Sequence, residues 1–166
     1  MRGEGGKMEN EKFIDIVDVA NKYCYCVNIL DQRGGLDLQN IEERMRVVFP
    51  LITFGCLTCE MYLKALVYKN NGELCEGHDL SILFDQLSDE EQNRCKTEFN
   101  QWLGKDGDFD KELERIKLAF IAWRYLYERG WTQDDDNSGI EPESITKFMK
   151  ILHDICNEYK NELKSR

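Results

Sequence analysis

The stretch VVFPLITFGCLTCEMYLKALVY, residues 47–68, decides the fold class of this chain. After Pro50 its apolar side chains cover most of a helix circumference, so we expect this helix to be the most buried one. Glu60 and Lys64 interrupt the run and lie one helical turn apart. These charges and Pro50 indicate a core helix rather than a membrane span. We expect Pro50 to kink or restart the helix.

The rest of the chain follows the helical period of 3.6 residues and carries no strand pattern. An apolar stripe predicts a helix from about residue 11 to 30, and a short helix is expected from His78 or Asp79. A capping box at Ser88 predicts another short helix, residues 109–130 carry the face of a long one, and the last opens with Pro142 in its first turn. Apolar stripes must be buried against one another, so the prediction is an all-α, up-and-down bundle of four long helices plus one or two short helices. It forms a single domain, residues 11–166, behind a flexible N-terminal tail, residues 1–10.

Composition narrows the classes of function. The net charge of −10 over 166 residues argues against a broad phosphate-binding face, while a small basic site inside an acidic shell stays open. The seven cysteines are odd in number and mostly fall at apolar helix positions, which indicates reduced thiols. With no apolar signal region and no membrane span, a cytoplasmic protein is expected.

Two patterns suggest metal sites, and both are incomplete. Cys24 and Cys26, like Cys56 and Cys59, have thiol spacing but lie inside apolar helices, where cysteine packs as a small hydrophobe. The acidic loops around residues 106–110 and 134–139 lack the later ligands of a calcium loop and are expected to be solvated. We therefore expect no metal and no cofactor.

Charged side chains within apolar helices are the remaining candidates. Besides Glu60 and Lys64, the stretch IAWRYLYERGW, residues 121–131, places Arg124 and Glu128 one turn apart among large apolar side chains. A buried charge costs several kcal/mol unless it is paired, so Glu60 and Arg124 are expected to find partners, in each other or elsewhere. Two interpretations follow: an ion-pair brace, or a pocket that binds a nucleotide or phosphate through Arg124. His78, in GHDL, either caps a helix entry or joins that pocket.

The segments CEMYLKALVY, GHDLSILFDQL and AFIAWRYLYE, in this order, resemble the HEPN family (higher eukaryotes and prokaryotes nucleotide-binding domains). The resemblance covers roughly residues 50–128. It implies a bundle of four to five helices, often a homodimer, and many such proteins are metal-independent ribonucleases of toxin–antitoxin, phage-defence or CRISPR systems.

The ribonuclease motif of the family, an Arg followed after four to six residues by a His, is absent here. Arg124 is followed at positions 129–131 by Arg, Gly and Trp, and neither His78 nor His153 has an Arg at the matching upstream distance. The resemblance therefore implies a polar cluster of Glu60, Lys64, His78, Arg124 and Glu128 that lacks the residues to cut RNA.

The function we expect is a non-catalytic, HEPN-like binding domain associated with a nucleotide or RNA, or with a partner protein of a defence or toxin–antitoxin module. One alternative is a divergent metal-independent ribonuclease that uses Arg124 with a spatially adjacent histidine, His78 or His153. Another is a purely structural interaction module whose apolar seam pairs with another chain, which a large exposed apolar patch would support.

Overall fold

The computed structural model describes residues 3–34, 41–105, 107–117, 119 and 141–165. These residues form six helices: α1 (Gly3–Gly34), α2 (Ile41–Asn71), α3 (Leu80–Phe84), α4 (Asp89–Leu103), α5 (Phe109–Ile116) and α6 (Pro142–Ser165). The described ranges contain no strand, so the prediction of an all-α fold is confirmed. Three of the six are long helices, and these pack against one another in every pairing.

The central element is α2, which contacts α1, α3 and α6. Its burial from Leu51 to Val67 confirms the expectation that the apolar stretch forms a core helix. The segment Arg46–Asn71 is long and apolar enough to cross a membrane, yet 50% of its apolar window is buried inside the fold. Length and composition alone do not indicate a membrane span, because core helices of folded domains share them.

Pro50 lies inside α2 and does not end it, so of the two alternatives expected at Pro50, a kink or a restart, the restart does not occur. Proline removes one backbone donor from the helix and crowds the preceding turn. In this turn the Thr53 hydroxyl donates to the carbonyl oxygen of Phe49 at 3.0 Å. This hydroxyl supplies a side-chain donor to the carbonyls beside the proline.

A small residue allows α2 and α6 to approach closely. A Cβ atom added at Gly55 would lie 2.5 Å from Cγ2 of Ile145, well inside van der Waals contact. Ile145 is fully buried, and its carbonyl oxygen accepts from the Cys59 thiol at 3.9 Å. Gly55 therefore sets the distance between the two helix backbones.

Four phenylalanines join the shorter helices to α6. Phe84 of α3, Phe99 of α4, Phe109 of α5 and Phe148 of α6 are buried, with ring centroids 4.9 to 6.5 Å apart and mostly edge-to-face. Aromatic pairs in this arrangement add to the free energy of area burial. The cluster fixes α3, and with it the coil before α3, against the long helices.

Two helix boundaries differ from the sequence prediction. α1 begins at Gly3, inside the segment expected to be a flexible tail, because the Glu, Lys and Met residues that follow favour a helix. The long helix expected over residues 109–130 ends instead at Ile116, with Lys117 as its C-cap. The Lys117 carbonyl accepts from the backbone N–H of Leu80 at 3.0 Å, so it is directed at the first turn of α3.

We expect Gly55→Ala to destabilise the fold. Alanine gains about 1 kcal/mol of helix propensity over glycine, but overpacking against Ile145 costs about 1–3 kcal/mol. Urea denaturation of Gly55→Ala, Ile145→Ala and the double variant measures the three free energies. In the Ile145→Ala background the alanine should become neutral or stabilising; equal effects in both backgrounds contradict the packing seen here.

Thiol reactivity should divide the cysteines into three groups. Cys26 is exposed and Cys75 is partly buried, whereas five thiols are buried: Cys24, Cys56, Cys59, Cys95 and Cys156. Burial raises the pKa of Cys95 to about 12 and raises those of Cys56, Cys59 and Cys156, which keeps these thiols protonated at neutral pH. With Ellman's reagent at pH 8 we expect one fast thiol, one slower thiol and the other five only after denaturation. Cys26→Ser removes the fast phase; a second fast thiol in that variant argues against the burial described.

Candidate functional site: a buried carboxylate between a lysine and a histidine

The coil between α2 and α3 brings His78 back over the side of α2. Gly72 has φ +74° and accordingly allows the turn that ends α2. Gly77, at φ +92°, allows a second turn directly before His78. Asp79 then caps α3, its carboxylate accepting from the backbone N–H groups of Ser81 and Ile82. His78 is thus held between a positive-φ glycine and a helix cap.

Glu60, Lys64 and His78 come together as the sequence analysis grouped them. Lys64 Nζ lies 2.8 Å from Oε1 of Glu60, one turn along α2. His78 Nδ1 lies 3.0 Å from both carboxylate oxygens of Glu60. A carboxylate has no proton to donate, so Nδ1 carries the hydrogen and donates it to Glu60. This contact fixes the orientation of the imidazole ring.

The three side chains differ in their access to solvent. Only 5% of the Glu60 side chain is exposed, against 21% for Lys64 and 51% for His78. The negative charge therefore lies at the back of the cluster, and the groups that can carry positive charge lie at the front. A neighbouring molecule reaches the lysine and the imidazole before it reaches the carboxylate.

Cys75 lies in the same coil as His78, and the sequence analysis did not single it out. Its thiol is partly buried, and burial raises its pKa, with the nearby Lys64 charge lowering it and the Glu60 charge raising it. The thiol therefore lies within electrostatic range of the ion pair. The signal in the sequence was its position three residues before His78, in CEGH.

Arg124 and Glu128 lie outside the described residues. The pairing of Arg124 with Glu60 therefore stays a prediction. Within the described part of the chain, both oxygens of Glu60 already accept a hydrogen bond, from Lys64 or His78.

Two other carboxylates are also buried, at positions where the sequence showed only surface charge. Glu91 forms the expected capping box with Ser88 and also accepts from Lys69 at 3.4 Å and Asn70 at 2.8 Å. Glu112 pairs with Arg115 and accepts from the Ser144 hydroxyl at 3.2 Å, joining α5 to α6. Both carboxylates tie helix ends together.

Several of the residues that the sequence suggested as metal ligands lie in the described part of the chain. No three His, Cys, Asp or Glu side chains in the described ranges are arranged to hold a metal ion. Asp108, from the first acidic loop, caps α5 and accepts from the Lys111 backbone N–H. The loop at 134–139 lies outside the described residues. Cys56 and Cys59 pack in the core as expected, whereas Cys26 is exposed, so the prediction of core packing is wrong for that residue.

No protein-family model, curated protein or solved structure matches this chain. The assignment to the HEPN family therefore stays a prediction from the sequence resemblance.

Replacing Glu60 with Gln tests the role of the buried charge. Both cation contacts lose their charged acceptor, so we expect the free energy of unfolding to fall by about 1–3 kcal/mol. Chemical denaturation measures this fall. Glu76→Gln, an exposed neighbour in the same coil, should change stability by less than about 0.5 kcal/mol.

Glu60→Gln should also change which nitrogen of the His78 ring carries the hydrogen. In the parent, ¹⁵N NMR should show the neutral His78 ring with its hydrogen on Nδ1, and Glu60→Gln should weaken that preference. His153, whose Nδ1 contacts Asp154 at 2.9 Å, serves as the internal reference and should not change. A His78 ring that carries its hydrogen on Nε2 in the parent contradicts the Glu60 contact.

Proposed function

We propose that this chain is a non-catalytic, HEPN-like helical binding domain that takes a phosphate-bearing ligand, a nucleotide or an RNA end, at the cluster of Glu60, Lys64 and His78. The carrying observation is the buried Glu60 carboxylate with Lys64 and a half-exposed His78 in front of it. For the fold we also propose the finer arrangement, an up-and-down, HEPN-like bundle of four long helices.

The geometry favours an anionic ligand. Lysine offers up to three N–H donors, and a protonated imidazole offers two. With Glu60 and Lys64 neutralising each other, protonation of His78 gives the cluster a net charge of +1. Hydrogen bonds between charged donors and phosphate oxygens are among the strongest in proteins. A phosphate group would therefore gain most from contact with both side chains.

The charge of the whole chain favours a small ligand over a long one. Acidic residues exceed basic ones, 32 to 22, so a polyanion meets repulsion over most of the surface. A single phosphate needs only the local cations. We therefore place mononucleotides and RNA ends ahead of extended duplexes or single strands.

We propose binding without catalysis because the ribonuclease pair of the HEPN family, an Arg followed after four to six residues by a His, is absent from the sequence. Metal-independent cleavage needs a base for the attacking hydroxyl and a cation for the phosphate charge. In the cluster, Lys64 and the Nδ1–H of His78 are both directed at Glu60. These contacts hold Lys64 and His78 in place. Each of the two side chains would then interact with both the Glu60 carboxylate and the ligand.

The proposal is tested by titrating AMP, GMP, CMP and short 5′-phosphorylated RNA against the purified chain by calorimetry. His78→Gln and Lys64→Gln should each weaken binding by about tenfold, the loss expected for one charge-assisted hydrogen bond. Lys111→Gln, an exposed lysine outside the cluster, is the matched control and should bind as the parent does. No saturable binding to any of these ligands, or equal losses in all three variants, rejects the proposal.

The alternative of a divergent ribonuclease has one observation in its favour. A buried carboxylate that accepts from Nδ1 of a histidine is also the arrangement that orients a general base. Incubation of labelled RNA with the parent, His78→Gln and Arg124→Ala distinguishes the two functions. Cleavage abolished by both changes favours the enzyme, and intact RNA with retained nucleotide affinity favours the binding domain.

A homodimer, which the family resemblance implies, is part of the proposal, and α1 offers the surface for it. Val19, Tyr25 and Ile29 are 41%, 68% and 40% exposed, and the exposed Cys26 lies next to Tyr25. Single exposed apolar residues are ordinary, but three on the outer side of one helix are typical of a contact surface. This strip also supports the interaction-module alternative, in which a partner protein covers it.

A further inference from the structure

A groove of about 240 Å³ lies between α1 and α6, on different residues from the Glu60 cluster. Its lining consists of two side chains from α1 and four from α6: Cys24, Asn28, Met149, Lys150, His153 and Asp154. Cys24 and Met149 are 5% and 1% exposed and form its floor, while the His153 side chain is 38% exposed. Two sulfur atoms and one imidazole ring therefore border the same small space.

The three residues that carry potential donor atoms line the groove from both helices. Met149 and His153 are four residues apart on α6 and hence on the same side of that helix. Cys24 faces them from α1. Two ligands at this spacing on one helix are a common way of holding a metal ion, and a third from a facing helix closes the site. Met149 has three rotatable side-chain bonds, so its thioether can adjust to a bound ion.

Surrounding contacts orient these donors. Nδ1 of His153 lies 2.9 Å from the Asp154 carboxylate, which assigns the hydrogen to Nδ1 and the lone pair to Nε2. The ring also packs edge-on against Tyr62, with centroids 6.0 Å apart. A carboxylate behind a histidine in this way is typical of metal-binding histidines.

The sulfur of Cys24 has a supporting contact of its own. The Asn28 amide donates to Cys24 Sγ at 3.8 Å. An amide donor directed at the sulfur in this way is a supporting contact of the kind that orients a metal ligand.

We propose that this groove binds one soft, monovalent metal ion of the Cu(I) class through Cys24 Sγ, Met149 Sδ and His153 Nε2. Thiolate and thioether ligands select such ions, whereas zinc and calcium sites need further nitrogen or oxygen ligands. No three His, Cys, Asp or Glu side chains of the described residues are arranged around such an ion, so a site here depends on the methionine. On binding, the Cys24 thiol releases its proton to solvent and the sulfur–metal bond forms. The ion stays monovalent and no electron is transferred.

The first test uses Ag(I), a redox-inert ion of the same class, with protein labelled at the methionine methyl groups. The Cys26→Ser/Cys75→Ser background removes the two accessible thiols that would compete. We expect the Met149 methyl resonance to move and saturate at one equivalent of Ag(I), while that of Met61 on α2 stays in place. An unchanged Met149 resonance at one equivalent overturns the proposal.

The second test measures affinity for Cu(I) under anaerobic conditions, by competition with bicinchoninate. Met149→Leu and His153→Gln, which should both fold, are each expected to weaken binding by about tenfold or more. Lys150→Gln, which lines the groove without offering a soft ligand, is the control and should bind as the parent does. Equal affinity in Met149→Leu, His153→Gln and the control assigns the ion to other thiols and rejects the site. Neither test involves a nucleotide, so its outcome is independent of the function proposed for the Glu60 cluster.

Discussion

The burial of α2 on most of its circumference is the constraint on which the other features depend. α1, α3 and α6 all pack on it, so each side chain of its central turns has to fit an interior. Gly55 fits there because it leaves space for Ile145, and Cys56 and Cys59 fit as small apolar side chains. Glu60 can be buried there only with a partner, because removing an unpaired carboxylate from water costs several kcal/mol. Its partners, Lys64 from the next turn and His78 from the following coil, are consequences of that burial.

The sequence was sufficient for those parts of the structure that depend on local pattern. The apolar run after Pro50 predicted the core helix, and the one-turn spacing of Glu60 and Lys64, visible in the sequence, is the spacing at which they form an ion pair. The sequence was insufficient where the structure of one segment depends on a contact with a distant segment. The Lys117 carbonyl is directed at Leu80, about forty residues earlier in the chain, and no window of local sequence carries this contact. Likewise the residues on either side of Cys26 in the sequence are apolar, as they often are around a buried residue. Cys26 is nevertheless exposed, because its exposure depends on which side of α1 faces α2 and α6.

The contacts between the long helices are polar as well as apolar, and this specifies how the helices align. Asn21 of α1 and Asn157 of α6 exchange side-chain hydrogen bonds of 2.9 and 3.1 Å, and Tyr62 of α2 donates to Asn21 at 2.7 Å. A shift of any of the three helices by one turn would leave these groups without partners, which costs about 1–3 kcal/mol per buried group. The same alignment places Cys24 opposite Met149 and His153. The sequence does not indicate that these residues form a network, because an Asn on a helix usually faces solvent.

The Glu60 cluster is difficult to explain as a device for stability alone. A buried ion pair is often no better than apolar side chains of the same volume, and α2 could have carried a leucine at this position. Lys64 alone would neutralise the charge from one turn away, with no need of a contact eighteen residues along the chain. The coil instead uses a positive-φ glycine and a helix cap to hold His78 on the carboxylate, with half of the side chain exposed. An arrangement that fixes a half-exposed ring supports the proposed binding of a ligand, because the entropy of ordering the ring is then lost before binding rather than during it.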